Sequence, residues 1–171
     1  MKRAKVTLIT GGVRSGKSSY AQRMALERAS NPVYLATSRV WDEEYRQRIE
    51  RHKADRGPQW TTVEEERALS RHDFTGRTVV VDCVTLWCTN FFYDLDSDVN
   101  RTLEAVCSEF DRLVEQAADL IFVTNEIGSG GISADACQRC FCDLQGWVNQ
   151  HIARAADEVW WMVSGIPVKI K

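Results

Sequence analysis

Gly11, Gly12, Val13, Arg14, Ser15, Gly16, Lys17 and Ser18 lie between a short β-branched run and an amphipathic stretch. Their order is a glycine, four residues of free type, then Gly-Lys-Ser. Glycines let such a loop curl so that successive backbone N–H groups point inward, and a helix opening near Lys17 adds its positive end at the same place. A cradle of this kind binds the phosphates of a nucleoside triphosphate. Lys17 would neutralise the β and γ phosphates, and the Ser18 hydroxyl would complete the shell of a magnesium ion. The second magnesium ligand is normally an acid at the end of a parallel strand beside the loop. Asp82 in TVVVDC ends a β-branched run typical of a strand buried on both faces. Capping the turn that follows is the other use for an aspartate there.

The segment WDEEYRQRIERHKADRGPQWTTVEEE, before the Asp82 strand, is dense in cations. On a helix over Asp42 to Asp55, Arg48, His52 and Arg56 share one side, although Arg56 falls just past the predicted end. Guanidinium groups beside an imidazole favour its neutral form, which can attack phosphorus, and they can also hold a triphosphate while it is attacked. Trp41, Tyr45 and Ile49 lie on nearly the same face, so packing at the edge of the core is the alternative role for His52. His72, in a polar loop, and His151, in a late helix, read as structural or solvent-facing.

These groups need elements to position them. Short β-branched runs alternate with amphipathic stretches, which predicts an α/β chain with a mostly parallel central sheet flanked by helices. Strands are expected at Lys5 to Thr10, Pro32 to Ala36, Thr78 to Asp82, Leu120 to Thr124 and Glu158 to Val163, with a short last one in Pro167 to Lys171. Helices are expected at Lys17 to Ser30, Asp42 to Asp55, Val99 to Ala118 and Ala134 to Ala156. With 171 residues and no repeat or linker, one domain is the simplest organisation.

Composition narrows the function classes. Apolar residues at 44% and charged residues at 27% are ordinary for a globular chain. A net charge of -2 speaks against a general nucleic-acid binder. The apolar run at the N-terminus is about five residues, too short for a signal peptide, and nothing approaches a membrane span. Six cysteines without an export signal are expected as free thiols in a reducing cytoplasm. A regulatory GTPase would carry DxxG after the magnesium-binding strand and a guanine-reading NKxD. Here DFTG at Asp73 to Gly76 precedes that strand, DLQG at Asp143 to Gly146 falls in a predicted helix, and NKxD does not occur.

The succession of GGVRSGKS, YLATS, RIERHKADRG, the Trp60 to Glu64 stretch, DCVTLWCTN, VTNEIGSG, GWVNQ and GIPVKIK resembles the adenosylcobinamide kinase / adenosylcobinamide-phosphate guanylyltransferase family over nearly the whole chain. The resemblance implies a single P-loop NTPase-like domain and a two-step enzyme of cobalamin synthesis. The first step phosphorylates adenosylcobinamide from ATP or GTP, and the second transfers GMP from GTP to adenosylcobinamide phosphate through a GMP-histidine intermediate, releasing pyrophosphate. His52 stands at the position of that histidine. The resemblance also assigns nucleotide contacts to Ala36, Thr37, Ser38, Lys53, Ala54, Asp55, Arg56, Glu64 and Asp82, and it implies a homotrimer with active sites between subunits. Glu64 is a candidate reader of guanine, since a carboxylate can accept from both N1–H and the 2-amino group; membership of a solvated acidic run with Glu65 and Glu66 is its other reading.

The chain departs from the family pattern after VTNEIGSG, where Gly131, Ile132, Ser133 and Ala134 replace an isoleucine-valine-proline turn. Its CQRCFC stretch, Cys137 to Cys142, is also atypical and reads as packing thiols in preference to a zinc site. Trp87, Phe91, Phe92 and Tyr93 suit either the core or a subunit interface. Two other functions share the phosphate loop: a small-molecule kinase without guanylyl transfer, and a nucleotide-binding module without turnover.

Overall fold

The structure, a computed structural model, describes residues 3–40, 43, 46–47, 50 and 56–171. Strands β1 (Lys5–Gly11), β2 (Val33–Ala36), β3 (Thr61–Glu64), β4 (Thr78–Asp82), β5 (Asp119–Asn125), β6 (Glu158–Val163) and β7 (Ile166–Lys169) form one seven-stranded sheet in the order β3-β2-β4-β5-β1-β6-β7. All neighbours are parallel except the β6/β7 hairpin. The described helices are α1 (Lys17–Arg28), α2 (Val84–Asp94), α3 (Val99–Leu113) and α4 (Ala136–Ala155), with a 3-10 turn at Leu69–Arg71.

The β-branched runs of β1, β4 and β5 are hydrophobic on both faces because both faces are covered. Ile9, Val80, Ile121 and Val123 point toward α1, where Ala21, Met24 and Ala25 allow close approach. Val6, Leu8, Val79, Val81, Leu120 and Phe122 point the other way, under Trp87 and Phe91 of α2, Phe110 of α3, and Leu144, Val148 and Ile152 of α4. The strand period of two thus sorts one sequence into two cores. The Phe110 and Phe122 rings meet with centroids 5.3 Å apart, a favourable aromatic separation.

The structure shows the α/β arrangement expected from the sequence and adds two elements. Helix α2 was not anticipated because VTLWCTNFFYD is rich in β-branched and aromatic residues and shows no polar stripe. Its period is masked because it is buried on most sides: Trp87, Phe91 and Phe92 are core, and Tyr93 is exposed. Strand β3 is four residues of mostly exposed side chains at the sheet edge, so no hydrophobic alternation marks it. Helix α3 ends at Leu113, short of the expected Ala118. The predicted helix Asp42 to Asp55 lies largely outside the described residues; Glu43, Arg46, Gln47 and Glu50 within it are helical.

The β6/β7 hairpin turns through Ser164 (φ 50°) and Gly165 (φ 83°), the left-handed pair that a two-residue loop requires. The turn abuts the glycine-rich loop: Gly165 N–H donates to Ser15 O at 3.0 Å. A Cβ on Gly11 would stand 2.7 Å from the Met162 carbonyl oxygen of β6 and equally near Ser15 Oγ. No side chain fits there without backbone movement.

At the same end of the sheet, ion pairs tie the loops together. Arg39, after β2, makes a two-pronged contact with Asp94 at the end of α2 (2.8 and 3.0 Å) and reaches Glu66 at 2.6 Å. Arg67 adds a contact to Asp94 at 2.9 Å. The Arg39 hydrogen bonds, then those of Arg67, hold the Asp94 carboxyl at about 2, down from an ordinary 3.8.

Two outcomes follow from this frame. Gly11→Ala should lower unfolding stability by about 1–3 kcal/mol, the usual cost of overpacking, seen as a reduced urea midpoint. Because the folded pKa of Asp94 is depressed, its contribution is complete above 3.8 and is lost as pH falls toward about 2. Asp94→Asn should therefore lower Tm by about 2–4 °C at neutral pH, and thermal melts should show that gap closing on acidification through this window.

Candidate active site

Strand register gathers the chemistry-bearing residues at the carboxyl edge of the sheet. Ala36 pairs with Glu64 on one side and Asp82 on the other, while Gly11 pairs with Asn125. Open parallel sheets bind ligands at this edge, where strands hand over to loops. Asp82 is not on the strand next to the glycine-rich loop: β5 separates β4 from β1. It acts on the loop across the end of β5.

The loop itself is shaped by two left-handed residues, Arg14 (φ 54°) and Gly16 (φ 91°). Gly16 caps α1, and its carbonyl accepts the Tyr20 N–H. Gly12, Val13 and Arg14 are exposed, Ser15 is buried, and Ser18 is half-buried in the first turn of α1. Lys17 is only 7% exposed. Its ammonium donates to the Gly12 carbonyl and, at 3.4 Å, to Ser15 Oγ. Burial pushes the Lys17 pKa down, while Cys83 and Asp82 oppose that shift. The Asp82 carboxylate is thus electrostatically coupled to the loop lysine. The Ser18 hydroxyl and the Asp82 carboxylate are the hard oxygen donors that suit magnesium, so this pair is chemically fit to hold one.

Asp82 is fixed by a neighbour that sequence reasoning did not single out. Tyr34 Oη donates to Asp82 Oδ2 at 2.9 Å. The Arg56 guanidinium lies over the Tyr34 ring, 3.7 Å from its centroid, and Trp60 meets the same ring edge-on at 6.1 Å. Arg56 Nε is buried without a hydrogen-bond partner. Burial, then the Asp82 charge, pushes the Tyr34 phenol far above its ordinary value, so it remains a donor.

The other expected nucleotide contacts separate by what their side chains touch. Thr37 is fully buried; its hydroxyl donates to Cys83 O at 2.8 Å and accepts from Cys83 N–H at 2.9 Å. Asn90 of α2 donates to Thr37 O at 2.7 Å. The Thr37 side chain therefore locks the loop after β2 to the end of β4. The Cys83 thiol beside it is pushed up to about 12 by burial. Ala36 and Ser38 are half-buried at the same edge. Among the three consecutive acids, Glu65 accepts the Arg67 and Ala68 N–H groups, each at 3.0 Å, and Glu66 pairs with Arg39. Glu64 is exposed, in register with Ala36. His72 contacts Glu65 at 3.3 Å and His151 contacts Asp111 at 2.8 Å. Arg48, His52, Lys53, Ala54 and Asp55 lie outside the described residues.

At the carboxyl end of β5 lies a polar network that the sequence motifs do not reveal. Thr124 donates to Asn149 Oδ1 at 2.7 Å and accepts from Gln145 at 2.9 Å, and the Asn125 N–H donates to Thr85 Oγ1 at 3.1 Å. VTNEIGSG and GWVNQ were the available signal, but nothing in either says that they meet. Cys137 and Cys140 are exposed on the first turns of α4, and Cys142 is half-buried.

The family model described as cobinamide kinase / cobinamide phosphate guanyltransferase matches residues 7–170. The bifunctional adenosylcobalamin biosynthesis protein CobU of Escherichia coli is 38% identical, with 96% of this chain and 98% of that protein covered. CobU of Salmonella typhimurium is 37% identical at the same coverage, and the bifunctional protein CobP of Pseudomonas aeruginosa is 36% identical with 96% of each covered. Among solved structures, a type III secretion ATPase aligns with a TM-score of 0.58 at 14% identity, over 93% of this chain and 51% of that one. The flagellar accessory protein FlaH of Methanocaldococcus jannaschii aligns with a TM-score of 0.50 at 13% identity, over 100% of this chain and 80% of that one. At such identities the structural likeness shows the fold alone. The family match spans almost the whole chain, and the chain belongs to the cobinamide kinase / cobinamide phosphate guanyltransferase family.

Proposed function

We propose that this chain phosphorylates adenosylcobinamide from ATP or GTP and then transfers GMP from GTP to the resulting phosphate, with His52 as the nucleophile of the second step. The observation that carries the reading is the electrostatic coupling of the buried loop residue Lys17 to Asp82, which accepts a hydrogen bond from Tyr34 beneath the Arg56 guanidinium, in a chain of this family.

In the first step the loop amides and Lys17 hold the triphosphate, and the aminopropanol hydroxyl attacks the γ phosphorus, breaking its bond to the bridging oxygen. In the second, a ring nitrogen of His52 attacks the α phosphorus of GTP; a P–N bond forms, the bond to pyrophosphate breaks, and the negative charge departs on pyrophosphate. An oxygen of adenosylcobinamide phosphate then attacks the same phosphorus and releases His52. Magnesium held by Ser18 and Asp82 would supply charge neutralisation at the phosphates. Lys17 supplies the same from the protein side, and its desolvation strengthens that attraction.

Glu64 is assigned to guanine: it is exposed at the carboxyl edge of the sheet, in register with Ala36, and a carboxylate can accept from both N1–H and the 2-amino group. Ala36, Ser38, Lys53, Ala54 and Asp55 complete the nucleotide contacts in this reading. The reading includes a homotrimer, for which exposed Trp161, Val163, Ile166 and Val168 on the β6/β7 edge offer an apolar surface. Among the described residues no helix is long and apolar enough to cross a membrane, and the six cysteines are free thiols, as a reducing cytoplasm allows.

GTP labelled at the α phosphate should leave acid-labile label on the chain, and His52→Ala should reduce it by at least about 10³-fold. An unlabelled wild-type chain would remove the guanylyl half and leave a kinase. Lys17→Ala should slow both steps by about 10²–10³-fold, read as pyrophosphate release with GTP and adenosylcobinamide phosphate and as ADP release with ATP and adenosylcobinamide. Background turnover by the wild type in both assays would reject the enzymatic reading.

A further inference from the structure

We propose that Tyr34 is a positioning residue with two duties: its hydroxyl orients the Asp82 carboxylate, and its ring seats Arg56, four positions after His52 in the chain. The inference rests on the two-step reading above and deepens it.

Tyr34 sits on β2 with its side chain on the α1 face, 7% exposed, in register with Val80 of β4. A side chain held this tightly has little rotational freedom, so it can hold other groups in place. Two distinct contacts leave it. The hydroxyl donates to Oδ2 of Asp82 at 2.9 Å. A carboxylate has two oxygens, and a donor fixed on one of them sets the orientation in which the other is presented. The ring face carries the Arg56 guanidinium at 3.7 Å, and Trp60 closes one edge of the ring.

Arg56 depends on that seat. No carboxylate pairs with it among the described contacts, and its buried Nε lacks a hydrogen-bond partner. Among the described residues the Tyr34 ring face contacts its guanidinium, attractive through the ring quadrupole. In the chain only Lys53, Ala54 and Asp55 separate Arg56 from His52. A seat for Arg56 therefore tethers the chain four residues from the proposed nucleophile, the kind of constraint that raises effective concentration. A tyrosine used merely as core filler would need neither contact.

Three variants separate the two contacts. The readouts are Mn²⁺ affinity with a non-hydrolysable GTP analogue bound, by calorimetry, and the rate of label transfer from α-labelled GTP to the chain at saturating metal. Tyr34→Phe keeps the ring and loses the hydroxyl. Mn²⁺ affinity should fall about tenfold, the scale of one hydrogen bond to a charged group, while labelling stays within about twofold of wild type. Tyr34→Leu loses both, so it should match Phe in metal affinity and label at least about tenfold more slowly. Arg56→Ala should label at least about tenfold more slowly than wild type. It also covers the case in which Tyr34→Leu does not fold, which a thermal melt would show.

Unchanged metal affinity in Tyr34→Phe, or labelling by Tyr34→Leu as fast as by Tyr34→Phe, would overturn the proposal. So would an Arg56→Ala variant that labels at the wild-type rate. A wild-type chain that takes no label would defeat the guanylyl reading itself, and the metal arm would still decide the role of the hydroxyl.

Discussion

A phosphate cradle works only if its backbone amides stay converged when no anion holds them, and here the β6/β7 hairpin supplies that restraint. The Gly165 N–H is bonded to the Ser15 carbonyl, and the carbonyl of Met162 presses on Gly11 so closely that a methyl group has no room. The loop is thus clamped between β1, from which it emerges, and β6, which lies beside β1. Everything downstream relies on that clamp. Lys17 opens α1 with its side chain folded back over the loop, and Ser18 follows it in the first turn. Two left-handed residues, Ser164 and Gly165, make the hairpin tight enough to reach the loop at all.

Burying Lys17 works against its charge, and the fold offsets this from a distance. Desolvation lowers its pKa, whereas the negative potential of Asp82, on the far side of β5, raises it. Triphosphate oxygens would do the same more strongly, because the low-dielectric setting that penalises an isolated ammonium magnifies its attraction to an anion. A lysine poised in this way favours a charged ligand over bulk water. The same relation explains why Asp82 needs an orienting partner: its orientation sets the field at Lys17 as well as the presentation of its oxygens.

The chain between β2 and β3 is held at both ends by different physics. Arg39, on the β2 side, is fixed by ion pairs to Asp94 and Glu66, which are only part-buried and so weaken with salt and acid. Arg56, on the β3 side, is fixed by an aromatic face inside the structure. One anchor is a set of ion pairs and the other a cation–π contact. Relatives that are 36–38% identical and named as bifunctional proteins share this chain's length almost completely. Secretion and flagellar proteins of similar fold share about an eighth to a seventh of its residues, so that likeness speaks for the fold and not for the chemistry.

The sequence by itself determined what is local. The glycine-rich turn between strand and helix, the β-branched run ending in Asp82, most strands and helices, and the family to which the chain belongs were legible because each is written in consecutive residues or in ordered motifs. Helix α2 and strand β3 were not, since one is apolar on nearly every side and the other is polar on both, and neither shows a period. Tertiary structure alone decided which residues meet. It inserted β5 between β1 and β4, committed the Thr37 side chain to Cys83, gave Glu65 the Ala68 amide and Glu66 the Arg39 guanidinium, and set Tyr34 between Asp82 and Arg56. Such pairings depend on strand order and register, which the whole packed core settles together, and no stretch of sequence short enough to read as a motif contains that information.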